Sequence, residues 1–305
     1  MGHLQMETLF GGPLAAVMDV RCRMRASPCG GEERTDAHYL VFTRAGAFVK
    51  HSGSGWRREV VAEPLRVLCL NRGEPYRVSH PADGGDECTV LAFAADSAFD
   101  VAADFDPWVA DVPGCPLRIS HAPASADVLL RMRALRRALR GRGVPGPADP
   151  LAVEAEALAV LGAVLRDGYA AHGARTGRRA TTWRDRRDLA ERTREVIATR
   201  PADPLSLSAL AREVHSSPYH LTRTFREVVG MPVHRYRLRL RLALALERLD
   251  AGGCSVSELA LALGFSSHSH FTATFRRAFG VAPTAVVTRR VRGTPWRAAS
   301  PTAAV

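Results

Sequence analysis

The chain has 305 residues, 46% of them hydrophobic, and a formal net charge of +11. That length accommodates two domains with separate cores, and the absence of any run of about 18 apolar residues excludes a transmembrane helix. The opening MGHLQMETLF lacks a basic segment followed by an apolar one, so no signal peptide is expected and the chain should stay in the cytoplasm, off the membrane. Cys22, Cys29, Cys69, Cys88, Cys115 and Cys254 show no CxxC spacing and read as free thiols of a reducing compartment.

The first elements in chain order are strands. Residues 14–24, 38–43, 47–51, 57–62, 65–70, 76–80 and 88–93 are short, rich in Val, Leu, Phe and Tyr, and separated by Gly, Pro and Asp. Seven such strands at roughly ten-residue spacing predict a small antiparallel barrel or sandwich. Two helices follow. Residues 126–140 place Val128, Leu129, Met132, Leu135 and Leu139 on one face and arginines on the other. Residues 150–169 are apolar around much of the helix, so they must be buried, with a partner subunit as one candidate surface. The segment 170–182 (AAHGARTGRRATT) is small, polar and basic and reads as a linker.

Beyond the linker the pattern is helical. Ser206 caps a helix over 207–214, and Ser217 caps one opening with Pro218. A long helix occupies 233–249. Ser255 and Glu258 form a capping box, and Ser267 caps a further helix. Gly230 and Gly280 stand where helices stop, followed by Pro232 and Pro283.

This region repeats. Residues 217–230 (SPYHLTRTFREVVG) and 267–280 (SHSHFTATFRRAFG) are identical at seven of fourteen positions, offset by fifty. Upstream, Leu210-Ala211 matches Leu259-Ala260 at an offset of forty-nine, so the one-residue difference falls in the turn. A repeat that changes length only in its turn reads as helix–turn–helix written twice. Ala211 and Ala260 are the small residues such a crossing needs. Leu221 and Phe225, then Phe271 and Phe275, are the inner anchors. The outer faces offer Tyr219, Thr222 and Arg223 in the first unit and His268, Ser269, His270 and Thr272 in the second. Their donors and acceptors suit base edges in a DNA major groove. Charge agrees: residues 173–305 carry +13 and residues 1–172 carry −2. A basic half joined to a near-neutral half points to a polyanion partner, here double-stranded DNA. At about 1.5 Å per residue the 233–249 helix spans roughly 25 Å. The two recognition helices would then lie about 34 Å apart, one turn of B-DNA.

Residues about 190–288 resemble the DNA-binding domain of the AraC/XylS transcription regulators, through LSALAREVHSSPYHLTRTFREVVGMPVHRYRLRLRLALALERL and VSELALALGFSSHSHFTATFRRAFGVAPTAV. The resemblance implies two helix–turn–helix units joined to an N-terminal effector-sensing or dimerising domain, hence a homodimer, a small-molecule effector and RNA polymerase as further partners. Two departures stand out. Ala273 replaces a long polar or basic side chain, so the second unit should read fewer bases. Thr284-Ala-Val-Val replaces an aromatic residue and Arg after Pro283, leaving Arg289 and Arg290 to meet phosphate. The segment 38–93 resembles, more weakly, the cupin-like sensor domains of part of this family.

The expected fold is therefore α+β with two domains: an N-terminal antiparallel, cupin-like β-barrel with helices, and a C-terminal all-α double helix–turn–helix. The divisions are a sensor domain at 1–120, a helical dimerisation or signalling segment at 121–170, a linker at 171–183, the DNA-binding domain at 184–290 and a tail at 291–305.

No catalytic residue is expected. A cupin metal set would need an HxH, and none occurs before residue 268. Cys22, Cys69, His80 and Cys88 would make a zinc or thiol-sensing site if their strands were neighbours. Their nonlocal spacing favours small buried side chains and a surface histidine, so no metal and no cofactor is assigned. His268 and His270, at i and i+2, do not share a helix face for ligation. Tyr39, Trp56 and Tyr76 are candidate linings of an effector pocket whose residues are otherwise unidentified. A repair enzyme with a nucleophilic cysteine ahead of the same DNA-binding domain is the competing reading.

Overall fold

The computed structural model describes residues 3–112, 114–141, 149–173, 180–251 and 255–288. The chain is α+β, with an antiparallel β half followed by a helical half. Nine strands are described: β1 (His3–Gly11), β2 (Ala15–Arg23), β3 (His38–Gly46), β4 (Phe48–Ser52), β5 (Arg58–Ala62), β6 (Arg66–Leu70), β7 (Arg77–Ser79), β8 (Asp86–Phe93) and β9 (His121–Pro123). They form two open sheets, of order β1-β2-β8-β3-β6-β9 and β5-β4-β7. No closed barrel joins them among the described residues.

The larger sheet buries both faces. Phe48, Val60 and Ala62 of the smaller sheet pack against Leu68, Leu70 and Cys88. On the opposite face Val17, Leu40, Phe42, Val67, Leu91 and Phe93 meet three helices, α1 (Ala95–Ala103), α2 (Ala126–Leu139) and α3 (Pro150–Gly173). Val153, Ala157, Val160, Leu161, Val164 and Leu165 of α3 enter this core. Much of the apolar surface of α3 is thus covered within the chain, while Leu151 at its start stays exposed. The expected linker at 171–183 is encroached on from both sides: α3 runs to Gly173 and α4 (Ala180–Thr199) starts at Ala180, with 174–179 outside the described residues. The expected tail at 291–305 also lies outside them.

The helical half continues with α5 (Leu207–Glu213), α6 (Pro218–Val229), α7 (Val233–Ala251), α8 (Val256–Ala262), α9 (His268–Phe279) and α10 (Pro283–Thr288). Helix α7 runs through one core shared by both repeat units. Arg241 of α7 is buried and has no carboxylate partner among the described residues. Its guanidinium donates instead to carbonyls on both sides: Nε to Pro201 at 2.7 Å, Nη1 to Gly264 at 2.7 Å and Nη2 to Ala202 at 3.1 Å. One side chain therefore ties the loop before the first unit to the turn inside the second. Val286 of α10 is buried in the same core, so Thr284-Ala-Val-Val still closes the domain.

The two halves meet through charge. Arg66, buried in β6, makes two contacts to Glu191 of α4, at 2.6 and 2.8 Å, and Glu191 also accepts the Val61 amide at 3.0 Å. Arg194 reaches Glu63 at 3.2 Å and lies over the Tyr236 ring at 5.0 Å. The arginine face of α2 lies against the helical half. Arg136 bridges Asp19 and Glu247 at 2.9 and 2.8 Å, and Arg133 and Arg137 reach Asp250 at 3.0 and 3.3 Å. Arg44 of β3 adds a contact to Glu247 at 2.7 Å. Ala47, Leu65, Leu129 and Leu130 supply apolar contact between them.

Burial alone would raise the Glu191 carboxyl, but the Arg66 guanidinium, helped by Arg194 and the Val61 amide, overrides it and brings the group to about 2. Its contribution is therefore fully present above the ordinary carboxyl value of 4.5 and is lost as pH falls toward 2. Glu191→Gln should cost about 3–5 kcal/mol near neutral pH by leaving Arg66 buried and unpaired. Denaturation midpoints should show the difference flat above pH about 5 and shrinking below it. Arg241→Leu should cost about 1–3 kcal/mol, because three part-buried carbonyls lose their donor. Gly264→Ala should cost clearly more than Gly280→Ala. Both glycines have positive φ, worth about 1–2 kcal/mol, but only at Gly264 would a Cβ press into the Ala202 carbonyl, at 2.6 Å, and the Arg241 guanidinium.

Candidate nucleic-acid interface

Each repeat unit is built from the same local devices. Ser206 and Ser217 cap α5 and α6, accepting from the amides of Ala209 at 3.1 Å and His220 at 3.2 Å. Ser255 and Glu258 close a reciprocal capping box on α8, and Ser267 accepts the His270 amide at 3.1 Å. The turns start identically: the second residue after each first helix is left-handed, His215 at φ 53° and Gly264 at φ 73°. The next amide then returns to the crossing alanine, Ser216 to Ala211 at 2.9 Å and Phe265 to Ala260 at 3.0 Å. The extra residue of the second unit follows this shared turn, so the helix start is conserved in both geometries. Ala211 and Ala260 are buried where the helices cross. Beneath the second helices, Leu221, Phe225, Phe271 and Phe275 are fully buried. Gly230 and Gly280 end α6 and α9 in the left-handed conformation.

The seven candidate contact residues all lie on α6 and α9 and none is buried. Tyr219 is 74% exposed. Arg223 is exposed and held toward Glu227 at 3.2 Å, one turn along. The Thr222 hydroxyl donates to the Pro218 and Tyr219 carbonyls, each at 3.0 Å, which fixes its rotamer. On α9, His268 and Ser269 are exposed, and Thr272 lies 3.5 Å from the His268 ring. His270 is tied back to the turn: Nδ1 is 3.1 Å from the Ser266 hydroxyl and its ring meets Phe265 edge-on. Ala273, at the place of Arg223, is exposed and carries no donor.

Two grooves extend these faces. One, of about 600 Å³, is lined by His268, Ser269, Thr272, Ala273, Arg276 and Arg277. The other, of about 880 Å³, brings Arg226, His234 and Arg237 beside Thr222 and Arg223. Arg226, Arg276 and Arg277 are exposed cations that the sequence reading did not assign to the interface. Arg226 and Arg276 are repeat-identical, and that identity was their signal. Arg289 and Arg290 lie outside the described residues.

A family model described as a helix-turn-helix domain matches residues 210–289. The HTH-type transcriptional regulator GlxA of Rhizobium meliloti (strain 1021) is 37% identical over 89 residues, which are 29% of this chain and 28% of the relative. The HTH-type transcriptional activator AarP of Providencia stuartii is 34% identical over 79 residues, 26% of this chain and 58% of the relative. The bifunctional transcriptional activator/DNA repair enzyme AdaA of Bacillus subtilis (strain 168) is 28% identical over 29% of this chain and 42% of the relative. The chain thus spans between about a quarter and three-fifths of these relatives' lengths. Among solved structures, a transcriptional regulator with an AraC-type DNA-binding domain from Chromobacterium violaceum is 29% identical, covering 35% of this chain and 96% of that one at a TM-score of 0.33. With its repeat geometry and its match to the helix-turn-helix model, the C-terminal part of this chain is a helix-turn-helix domain similar to those of AraC-type transcription regulators.

Proposed function

We propose that the chain is a sequence-specific transcription regulator that reads two adjacent major-groove segments of duplex DNA with α6 and α9. The observation that carries this reading is the pair of solvent-facing helix surfaces raised on matching caps and turns. Tyr219, Thr222 and Arg223 form the first reading face, and His268, Ser269, His270 and Thr272 the second. Arg226, Arg276 and Arg277 are suited to phosphate and so to affinity rather than sequence choice. Helix α7, at about 1.5 Å per residue, sets the separation of the two faces near one turn of B-DNA.

The β half is the sensor in this reading, with a cupin-like sandwich and a small-molecule effector. Lys50 supports it: the side chain is buried 5.9 Å from the Tyr76 ring centroid, without an ion pair among the described residues. Burial pulls its ammonium below the usual lysine range, so an anionic effector would gain by pairing with it. Helix α2 touches both the sheet and α7, which favours signal transmission over dimerisation for the 126–169 segment. A homodimer and contact with RNA polymerase remain part of the proposal through the family resemblance, as does a cytoplasmic location. The competing repair-enzyme reading needs an activated thiolate. Burial pushes the Cys69 thiol up to about 12, the opposite of activation.

Selection of bound duplexes from a random pool by the full chain at fixed salt should enrich two short motifs about one helical turn apart. A single motif would reduce α9 to a backbone grip, and binding without any preference would overturn the reading. Arg223→Ala should cost about 1–3 kcal/mol on the selected site and relax one base position. Arg276→Ala should weaken all sequences alike and lower the salt slope by about 1. Salt-dependent binding titrations separate the two behaviours.

A further inference from the structure

Three side chains from separate segments converge at the rim of the β sandwich. Cys22 on β2 and Asp86 on β8 are directly opposed in the strand register. His80, just past β7, is held over them by its backbone bridge to Ser27. His80 Nε2 lies 3.6 Å from Cys22 Sγ and 3.1 Å from Asp86 Oδ1. One ligand atom from each residue falls within 4.8 Å of the others. His80 and Asp86 are buried and Cys22 is half-buried.

The Cys22 thiol and the Asp86 carboxylate both turn toward His80 Nε2. A cation between them would take one donor atom from each. The spacing agrees. Tetrahedral zinc, with bonds of about 2.3 Å to sulfur and about 2.0–2.2 Å to nitrogen and oxygen, sets sulfur–nitrogen and nitrogen–oxygen separations of about 3.5 and 3.3 Å. The second carboxylate oxygen is already held: Cys88 Sγ donates to Asp86 Oδ2 at 3.1 Å, orienting the ligand as outer partners of metal sites do. Backbone packing forces the convergence. At Gly85, φ +74°, a Cβ would collide with the Cys22 carbonyl at 1.9 Å, so only glycine lets this loop press Asp86 against Cys22. A groove of about 950 Å³, lined by residues 21–27 and 83–87 among others, opens onto Cys22 and Asp86 and gives a fourth coordination position access to solvent.

We propose that Cys22, His80 and Asp86 form a binding site for a zinc-class divalent cation, with the fourth position open to water or a small donor. One thiolate, one imidazole and one carboxylate select zinc, and cobalt as its spectroscopic substitute, over the oxygen-seeking magnesium and calcium. Cys69 has no part in it: its side chain belongs to the core on the helix-covered face of the sheet. The site stands independently of the DNA reading.

The test is a cobalt(II) titration of the reduced, chelator-treated full chain. One equivalent should produce the ligand-field bands of a tetrahedral site together with a thiolate-to-cobalt charge-transfer band, both abolished by zinc. Cys22→Ser and Asp86→Asn should each remove the charge-transfer band or its tight stoichiometry, whereas Cys69→Ser and Cys29→Ser should leave both intact. Cys88→Ala should weaken binding roughly 10–100-fold as an outer-partner loss. Cys22 is half-exposed, so its serine variant retains the fold, and an unchanged denaturation midpoint without metal checks this. Zinc should raise that midpoint for the parent and not for Cys22→Ser. Absence of a charge-transfer band at any cobalt concentration, or a band that survives Cys22→Ser, would overturn the proposal.

Discussion

The helical half depends on one buried cation. Arg241 sits in the middle of α7 and holds carbonyls from the loop ahead of the first unit and from the turn of the second. A guanidinium offers five donors in a rigid fork, so it can satisfy several part-buried carbonyls at once. The cost of leaving them unpaired locks the two units to α7 and so to each other. In ordinary repeat arrays each copy contacts its neighbour through apolar faces and can open alone. Here the shared core and the shared arginine make two copies of a motif into one cooperative body, as the proposed reading by two faces at a fixed spacing would require.

Much of this was legible in the sequence because it is local. Serine caps, a capping box, stop glycines and i, i+3, i+4 anchors are encoded within a few residues, and α5 to α9 follow the expected boundaries closely. The seven central strands were legible for the same reason. Strands β1 and β9 and helix α1 were not. His3–Gly11 carries exposed Leu4 and Met6, so it lacks a clean inward alternation, and His121–Pro123 is too short to show a period. Their assignment comes from pairing with β2 and β6, a tertiary fact.

Long-range charge was the least legible layer. The α2 arginines show only as one side of a helix, because helical spacing says which residues share a side and not what that side meets. Their partners, Asp19, Glu247 and Asp250, are more than a hundred residues away in sequence. Asp86 was missed for a related reason. The cysteines and His80 drew notice as ligand types, but only the β2–β8 register sets a carboxylate opposite Cys22. Of the four residues first considered together, the strand order separates Cys69 and keeps Cys22, His80 and Cys88 close to that carboxylate.

The ionic seam between the halves also shapes the field around the molecule. Glu191, Glu247 and Asp250 are acids of the helical half, and each is covered by arginines of the β half or α2. Arg223, Arg226, Arg276 and Arg277 stay exposed and, among the described residues, have no such cover from the β half. Masked acids no longer offset those cations at distances of about a Debye length, roughly 10 Å. The β half thereby sharpens the attraction of the helical half for a polyanion without touching it. Such a contribution acts on the frequency of productive encounters, with little hold on the lifetime of the complex once formed.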